Sequence, residues 1–310
     1  MIRSFSSQFS SLRLRFAVSQ WRCFSSDVGE KASDPLRVLF CGSDAFSCES
    51  LRALHREHES NRQLIESLDV MVLPPRRTGR GFKEITEVPS PIHHAMMRNE
   101  QYTGVSLQTL DPKAFDHGVV LAQTPSPGIS IPAGTTLQQL TESLAKLGAE
   151  MLVQGLRDGV HVPPYTNAGW MADQLKGDEL VHAPKVSKGE SQINWPEWSS
   201  TDVVRFLNIF STVWTHARND KGKFKRVLFL NAESVSELDV TGRSEDIVFR
   251  FERGNEGHDV QRNVRVDDEH DAFYVQMADE SWVRVRNVKV DGKTTQTAKV
   301  GMREFMKKLK

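Results

Sequence analysis

Residues 36–41, LRVLFC, form a compact apolar run, which predicts a buried strand. Gly42-Ser43-Asp44 follow, and then Phe46, Leu51 and Leu54 recur at helical spacing. This is a strand, a glycine turn and a helix capped by Ser43 or Asp44. Such a unit opens a doubly wound α/β domain. It lacks the G-x-G-x-x-G pattern, so the dinucleotide fingerprint is absent. A second short apolar strand, DVMVL at 69–73, runs into PPRRTGRGFKEITEVPSP, a segment rich in Pro, Gly and Arg. A helix is predicted from Pro91 to about Arg98, with proline in its first turn. Residues 103–123 read as strand, loop and strand.

The longest periodic segment is Thr135 to Leu156. Leu137, Leu140, Leu144, Leu147, Met151 and Leu152 make an apolar stripe, and Thr136 is the expected cap. Residues 159–177 carry Pro163-Pro164, Asn167 and Gly169, and read as loop. Beyond Lys188 the character changes. A helix from Ser200 to Phe210 precedes short β-like runs at 226–231, 246–251, 272–277 and 282–290. Short strands between polar turns predict a small β-barrel or sandwich. A basic end, with six Lys or Arg against Glu304 from Lys293 onward, closes on a short helix.

Composition narrows the classes. At 310 residues the chain has room for two domains, and 38% hydrophobic with 26% charged residues is a globular balance. Lys+Arg and Asp+Glu stand at 40 each, so any nucleic-acid contact must rest on local patches. No apolar run reaches the ~20 residues that span a bilayer. Residues 1–26 hold four Arg, no Lys and no acid, amid abundant Ser. Leu12, Leu14, Phe16 and Val18 with Arg13 and Arg15 suit an amphipathic helix. This is the composition of a mitochondrial presequence, with cleavage expected near Phe24. Cys23, Cys41 and Cys48 lack metal-ligand company, which suits a reduced compartment.

The candidate chemistry sits in TGVSLQTLDPKAFDHGVVLAQ, 103–123. The loop delivers Asp116 beside His117-Gly118. A carboxylate at the tip of a strand-loop-strand, next to a glycine that lets backbone come close, suits an acid/base group. An isolated loop Asp is more often a turn residue, so its neighbours must decide.

Those neighbours resemble one family. LRVLFCGSDAFSCESLRAL is similar to the first strand-turn-helix of the methionyl-tRNA formyltransferases. PPRRTGRGFKE resembles their basic loop, PIHHAM their next helix, and TGVSLQTLDPKAFDHGVVLAQ the strand pair with their catalytic Asp. HAPKVSKGESQINW, 182–195, resembles their interdomain signature, and GKTTQTAKVGMREF the end of their C-terminal domain. The fungal mitochondrial branch fits best. The resemblance covers most of the chain after the presequence.

The resemblance implies a Rossmann-like folate formyltransferase domain at 35–160, a linker at 161–199, and a small OB-like barrel at 200–310 that binds tRNA. It implies transfer of formyl from 10-formyltetrahydrofolate to the amine of methionyl-initiator tRNA, for translation initiation in the mitochondrial matrix. No metal, no membrane and a monomer are implied. Asp116 takes the catalytic position, and Leu110, Asp111, Phe115 and His117 lie against the folate. Arg76, Arg77, Arg80 and Lys83 in the basic loop, with Lys293, Lys307 and Lys308 at the end, are the expected tRNA contacts.

One part of the pattern is missing. The family's Asn and His sit in an N-x-H segment, followed by Ser-Leu-Leu-Pro and Arg-Gly-Ala-Ala-Pro runs. Here Glu87-Val88-Pro89-Ser90 passes straight into Pro91-Ile92. His93 and His94 match helix positions and do not replace the absent His. The space between Leu73 and Thr103 holds a loop and one helix, so the first sheet should have about four strands and an incomplete core. An inactive tRNA-binding relative and an incomplete gene model are the alternatives to an active enzyme. Another 10-formyltetrahydrofolate enzyme is a third, which the HAPKVSKGESQINW segment and C-terminal part disfavour.

Overall fold

The computed structural model describes residues 33–42, 44–72, 90–112, 118–170, 183–254 and 256–306. Strand β1 (Leu36–Cys41), helix α1 (Ala45–Ser60) and strand β2 (Ile65–Met71) form a parallel β-α-β unit. Asp44 is the cap of α1: its carboxylate accepts from Ser47 N at 2.7 Å, and Ser47 Oγ closes the capping box. β2 begins four residues earlier than the apolar run at 69–73. IESL sets two polar residues between Ile65 and Leu68 and so breaks the apolar run; its pairing with β1, and not its hydrophobicity, makes it a strand.

Helix α2 (Pro91–Met97) is followed by strands β3 (Tyr102–Thr103), β4 (Ser106–Gln108), β5 (Val120–Gln123) and β6 (Ile129–Ser130). β4 pairs antiparallel with β5, and β3 with β6. Helix α3 (Leu137–Arg157) starts at Thr136, which forms a capping box with Gln139. The predicted four-stranded sheet is therefore not seen. Among the described residues, β1–β2, β3–β6 and β4–β5 are three separate two-stranded pieces. One face of β1–β2 is covered: Val38, Phe40 and Leu68 pack against Ala53 and Leu54 of α1 and Ala149 and Val153 of α3. On the other face Leu39 is 61% exposed and Met71 55%. Parallel sheets elsewhere bury both faces, whereas among the described residues no layer covers this one.

An ion pair ties α1 to α3. Glu57 is buried, and Arg157 donates to both of its carboxylate oxygens. The Arg157 hydrogen bonds hold the Glu57 pKa below its ordinary value, against the opposing effect of burial. A depressed carboxylate pKa stabilises the fold above the unfolded-state value, and this is lost as pH falls through the folded-state value. Arg157→Ala is expected to cost about 1–3 kcal/mol near neutral pH, by stranding a buried acceptor. The difference from wild type should shrink in urea titrations at acid pH. A penalty that is unchanged down to low pH would show that the charge of Glu57 plays no part.

Helix α4 (Ser200–Phe210) links the two halves: Ile209 joins Met96, Leu140 and Leu144, while Val203 and Phe206 enter the C-terminal core. That half contains β7 (Val213–Arg218), β8 (Phe224–Val235), β9 (Arg243–Arg253), β10 (Glu256–Asp267), β11 (Ala272–Gln276), β12 (Trp282–Val290), β13 (Thr295–Thr297) and helix α5 (Ala298–Met302). The ladder runs β11-β10-β9-β7-β8-β12, and β12 pairs back to β11, so six strands close a barrel. Closure removes the open edges of the sheet. β7 and β10 escaped the hydrophobic pattern because polar residues interrupt it: Thr215, His216 and Arg218 in β7, the first of them buried, and most of EGHDVQRN in β10.

The HAPKVSKGESQINW segment ends inside this barrel. Ile193 and Trp195 are fully buried in its core. Trp195 stacks on Phe249 with ring centroids 4.1 Å apart, and its Nε1 donates to Thr215 Oγ1 at 2.7 Å. The Trp of that motif is thus a structural plug.

Candidate active site

β4 and β5 position the Asp116 loop. Ser106 pairs with Gln123 and Leu107 with Ala122, and the register then shifts so that Gln108 meets Val120. Thr109 N donates to Val119 O at 3.0 Å, and Val119 N donates to Thr109 Oγ1 at 2.9 Å. These two bonds form the neck of a loop spanning residues 110–118. At the neck, a Cβ on Gly118 would overlap the carbonyl oxygen of Thr109. The glycine beside the Asp is therefore required by a close backbone approach. Gly118→Ala must push the strands apart at the base of the loop. Under the formyl-transfer reading that the resemblance implies, the rate is expected to drop by about 100-fold, the scale of a 1 Å misplacement. A rate within twofold of wild type, with an unchanged circular dichroism spectrum, would show that the neck does not position the carboxylate.

The hairpin is clamped from both sides. Gly155 of α3 lies close to the Leu107 side chain, which leaves no room for a larger residue. Residues 160–170 run along β5: Ala168 N donates to Val120 O at 2.7 Å, and Trp170 Nε1 to Thr124 O at 2.9 Å. Part of the predicted loop region thus serves as a brace for the candidate site.

The expected site residues are placed unevenly. Asp116, Phe115 and His117 lie outside the described residues, as do Arg76, Arg77, Arg80, Lys83, Lys307 and Lys308. Leu110 stands 91% exposed at the start of the loop, with Asp111 exposed beside it. Lys293 donates to Glu304 at 2.8 Å, and Lys225 shares the same carboxylate. Burial pushes the pKa of Glu304 up, but the two lysines together bring it below its ordinary value. Lys293 therefore carries a structural ion pair. His93 lies with its ring 6.2 Å from that of Phe210, and His94 Nε2 is 2.9 Å from Pro184 O. Burial, with His94 adding to it, lowers the pKa of His93.

Sequence reasoning passed over His161, which sits just beyond α3. Both of its ring nitrogens are buried without a hydrogen-bond partner among the described residues, and burial lowers its pKa. A neutral imidazole is thereby favoured. Nothing in its sequence context marks it.

Among the described residues, no group of three or more His, Cys, Asp or Glu could hold a metal ion. Nor is any described helix long and apolar enough to cross a membrane. A shallow depression between α1 and β2, lined by Leu51, Arg52, His55, Arg56, Leu68 and Val70, lies on other elements than the hairpin.

No family model matches the chain. The mitochondrial methionyl-tRNA formyltransferase of Rattus norvegicus is 29% identical over 236 positions, covering 58% of this chain and 58% of the relative. That of Homo sapiens is 28% identical over 258 positions, covering 63% and 64%. That of Saccharomyces cerevisiae is 25% identical over 189, covering 53% and 45%. The chain thus spans less than two thirds of the length of these relatives. The rat comparison also leaves positions unmatched: 58% of 310 residues is about 180, against 236 aligned positions, so roughly 56 positions in all face no residue here. Among solved structures, HypX from Aquifex aeolicus in complex with tetrahydrofolic acid overlaps with a TM-score of 0.45 and 15% identity, covering 87% of this chain and 47% of that one. That score is too low to support an argument. By sequence, the chain is similar to the mitochondrial methionyl-tRNA formyltransferases of mammals and yeast.

Proposed function

We propose that this protein transfers a formyl group from 10-formyltetrahydrofolate to the α-amine of methionyl-initiator tRNA in the mitochondrial matrix. The observation that carries this reading is the 28–29% identity to named mitochondrial formyltransferases over 58–63% of this chain. The hairpin with its loop at 110–118 supports it, because the chemistry needs a carboxylate held at a fixed point. The amine attacks the formyl carbon, a tetrahedral oxyanion forms, and the C–N bond to the folate nitrogen breaks. The attacking amine must lose a proton, and the leaving nitrogen must gain one. Asp116 is the proposed proton carrier. The exposed side chain of Leu110 is suited to an apolar ring face, with Asp111, Phe115 and His117 completing the folate contact. In this reading residues 35–160 are the Rossmann-like catalytic unit, 161–199 join it to the barrel, and 200–310 hold the RNA. Residues 1–26 direct import. No metal takes part.

The test is formyl transfer to methionyl-tRNA by the full chain, with 10-formyltetrahydrofolate as donor. Turnover above the background rate supports the reading, and its absence with bound tRNA overturns it for this chain. One observation favours a second reading, of a form that binds tRNA without turning it over. The roughly 56 unmatched positions of the rat relative, together with the face of β1–β2 that no described residue covers, support the reading that a piece of the catalytic half is absent. Coding sequence for N-x-H and Ser-Leu-Leu-Pro between the Ser90 and Pro91 codons in genomic DNA would identify that piece.

A further inference from the structure

The outward face of β7, β8 and β9 carries a cationic and aromatic row that the sequence motifs did not include. Burial alternates along β7, so Trp214, His216 and Arg218 face away from the core. In register beside them stand Leu228, Arg226 and Phe224 of β8, and Arg250 of β9 lies opposite His216. The guanidinium of Arg226 lies 4.2 Å from the centre of the Trp214 ring, and that of Arg250 lies 3.9 Å from the centre of Phe224. Trp214 is itself fixed: its Nε1 donates to Lys188 O at 2.9 Å, and its backbone O accepts from Ile193 N at 2.8 Å. The 182–195 motif therefore sets the platform on which Arg226 rests.

The charges differ in their pairing. Arg250 is engaged by Asp259 at 2.7 Å, and His216 by Glu252 at 3.3 Å. Lys188, Arg218, Lys221, Lys223 and Arg226 make no ion pair among the described residues, and Arg226 Nε is buried without an acceptor. Lys221 and Lys223 lie in the β7–β8 turn, whose shape is held by their backbone amides donating to Asn219 Oδ1. Asp220 is the carboxylate of that turn. The excess is positive and clustered. A guanidinium stacked on an indole loses little further freedom when it binds, and its planar fork matches a phosphate.

We propose that this face docks the phosphate backbone of the tRNA, with Arg226 as its fixed fork and Lys188, Arg218, Lys221 and Lys223 around it. The proposal rests on the tRNA reading above but assigns the contact to different residues. The test is binding of labelled, unacylated tRNA to the full chain across a series of KCl concentrations. Arg218→Ala/Arg226→Ala should lower the salt slope by about 2 and weaken binding roughly tenfold near physiological salt. Trp214→Leu, which keeps every charge, should weaken binding with a smaller change in slope. Lys221→Ala/Lys223→Ala alters only a solvent-exposed turn, and should lower the slope even if the first variant does not fold. Wild-type tRNA binding with both slopes unaltered would overturn this face as the docking site and leave the formyl-transfer reading standing. A wild-type chain that binds no tRNA would overturn both.

Discussion

Asp116→Asn is expected to lower formyl transfer to methionyl-tRNA by about 10²–10⁴-fold, the contribution of one placed acid/base group. The amide keeps the size and much of the hydrogen bonding of the carboxylate but cannot accept the proton of the attacking amine. The residue belongs to the segment between β4 and β5, whose neck is locked by the Thr109–Val119 bonds and by Gly118, so the substitution should not disturb the scaffold. Single-turnover rates at saturating tRNA and donor separate chemistry from binding. The loss should fall on the chemical step and leave tRNA affinity unchanged. Robust turnover by the Asn variant would remove Asp116 from the mechanism. The Asn and His that accompany this Asp in the resembling family have no counterpart here. Oxyanion stabilisation is commonly the largest single catalytic term, so the wild-type rate of this chain should itself be low.

The second large effect is on stability. Trp195→Ala is expected to cost about 3–5 kcal/mol, as for other large aromatic deletions in a core. Trp195 is fully buried, stacked on Phe249, and donates to Thr215, whose side chain is also buried. Its backbone carbonyl accepts from Arg262 Nη2 of β10 at 2.5 Å, so one residue joins the connecting segment to two sides of the barrel. Against a total of about 5–15 kcal/mol for a typical domain, the loss should unfold much of the C-terminal half at 37 °C. Urea unfolding followed by the fluorescence of the remaining tryptophans measures it. Trp195→Phe should be milder, since it keeps the stack and loses only the hydrogen bond. An Ala variant within 1 kcal/mol of wild type would show that the plug is dispensable.

The sequence by itself determined the elements whose signals are local. Helices α1 and α3 follow from apolar spacing and from caps at Asp44 and Thr136, because a capping side chain acts on amides three residues away, and α4 was legible as a helix at 200–210. The strand-loop-strand around Asp116 and the need for Gly118 were legible for the same reason. The β-rich nature of the C-terminal half was legible too, because alternation survives in its most buried strands. Closure of the barrel was decided only in three dimensions, since it depends on β11 meeting β12 and on polar-faced strands such as β10 whose pairing is non-local. The roles of Trp195 and Arg157, the buried state of His161, and the row of Trp214, Arg226 and Arg250 likewise arise from residues far apart in the chain. The first sheet shows the same boundary. Apolar runs can mark a strand as buried, but only the arrangement of layers shows that Leu39 and Met71 have nothing packed over them among the described residues.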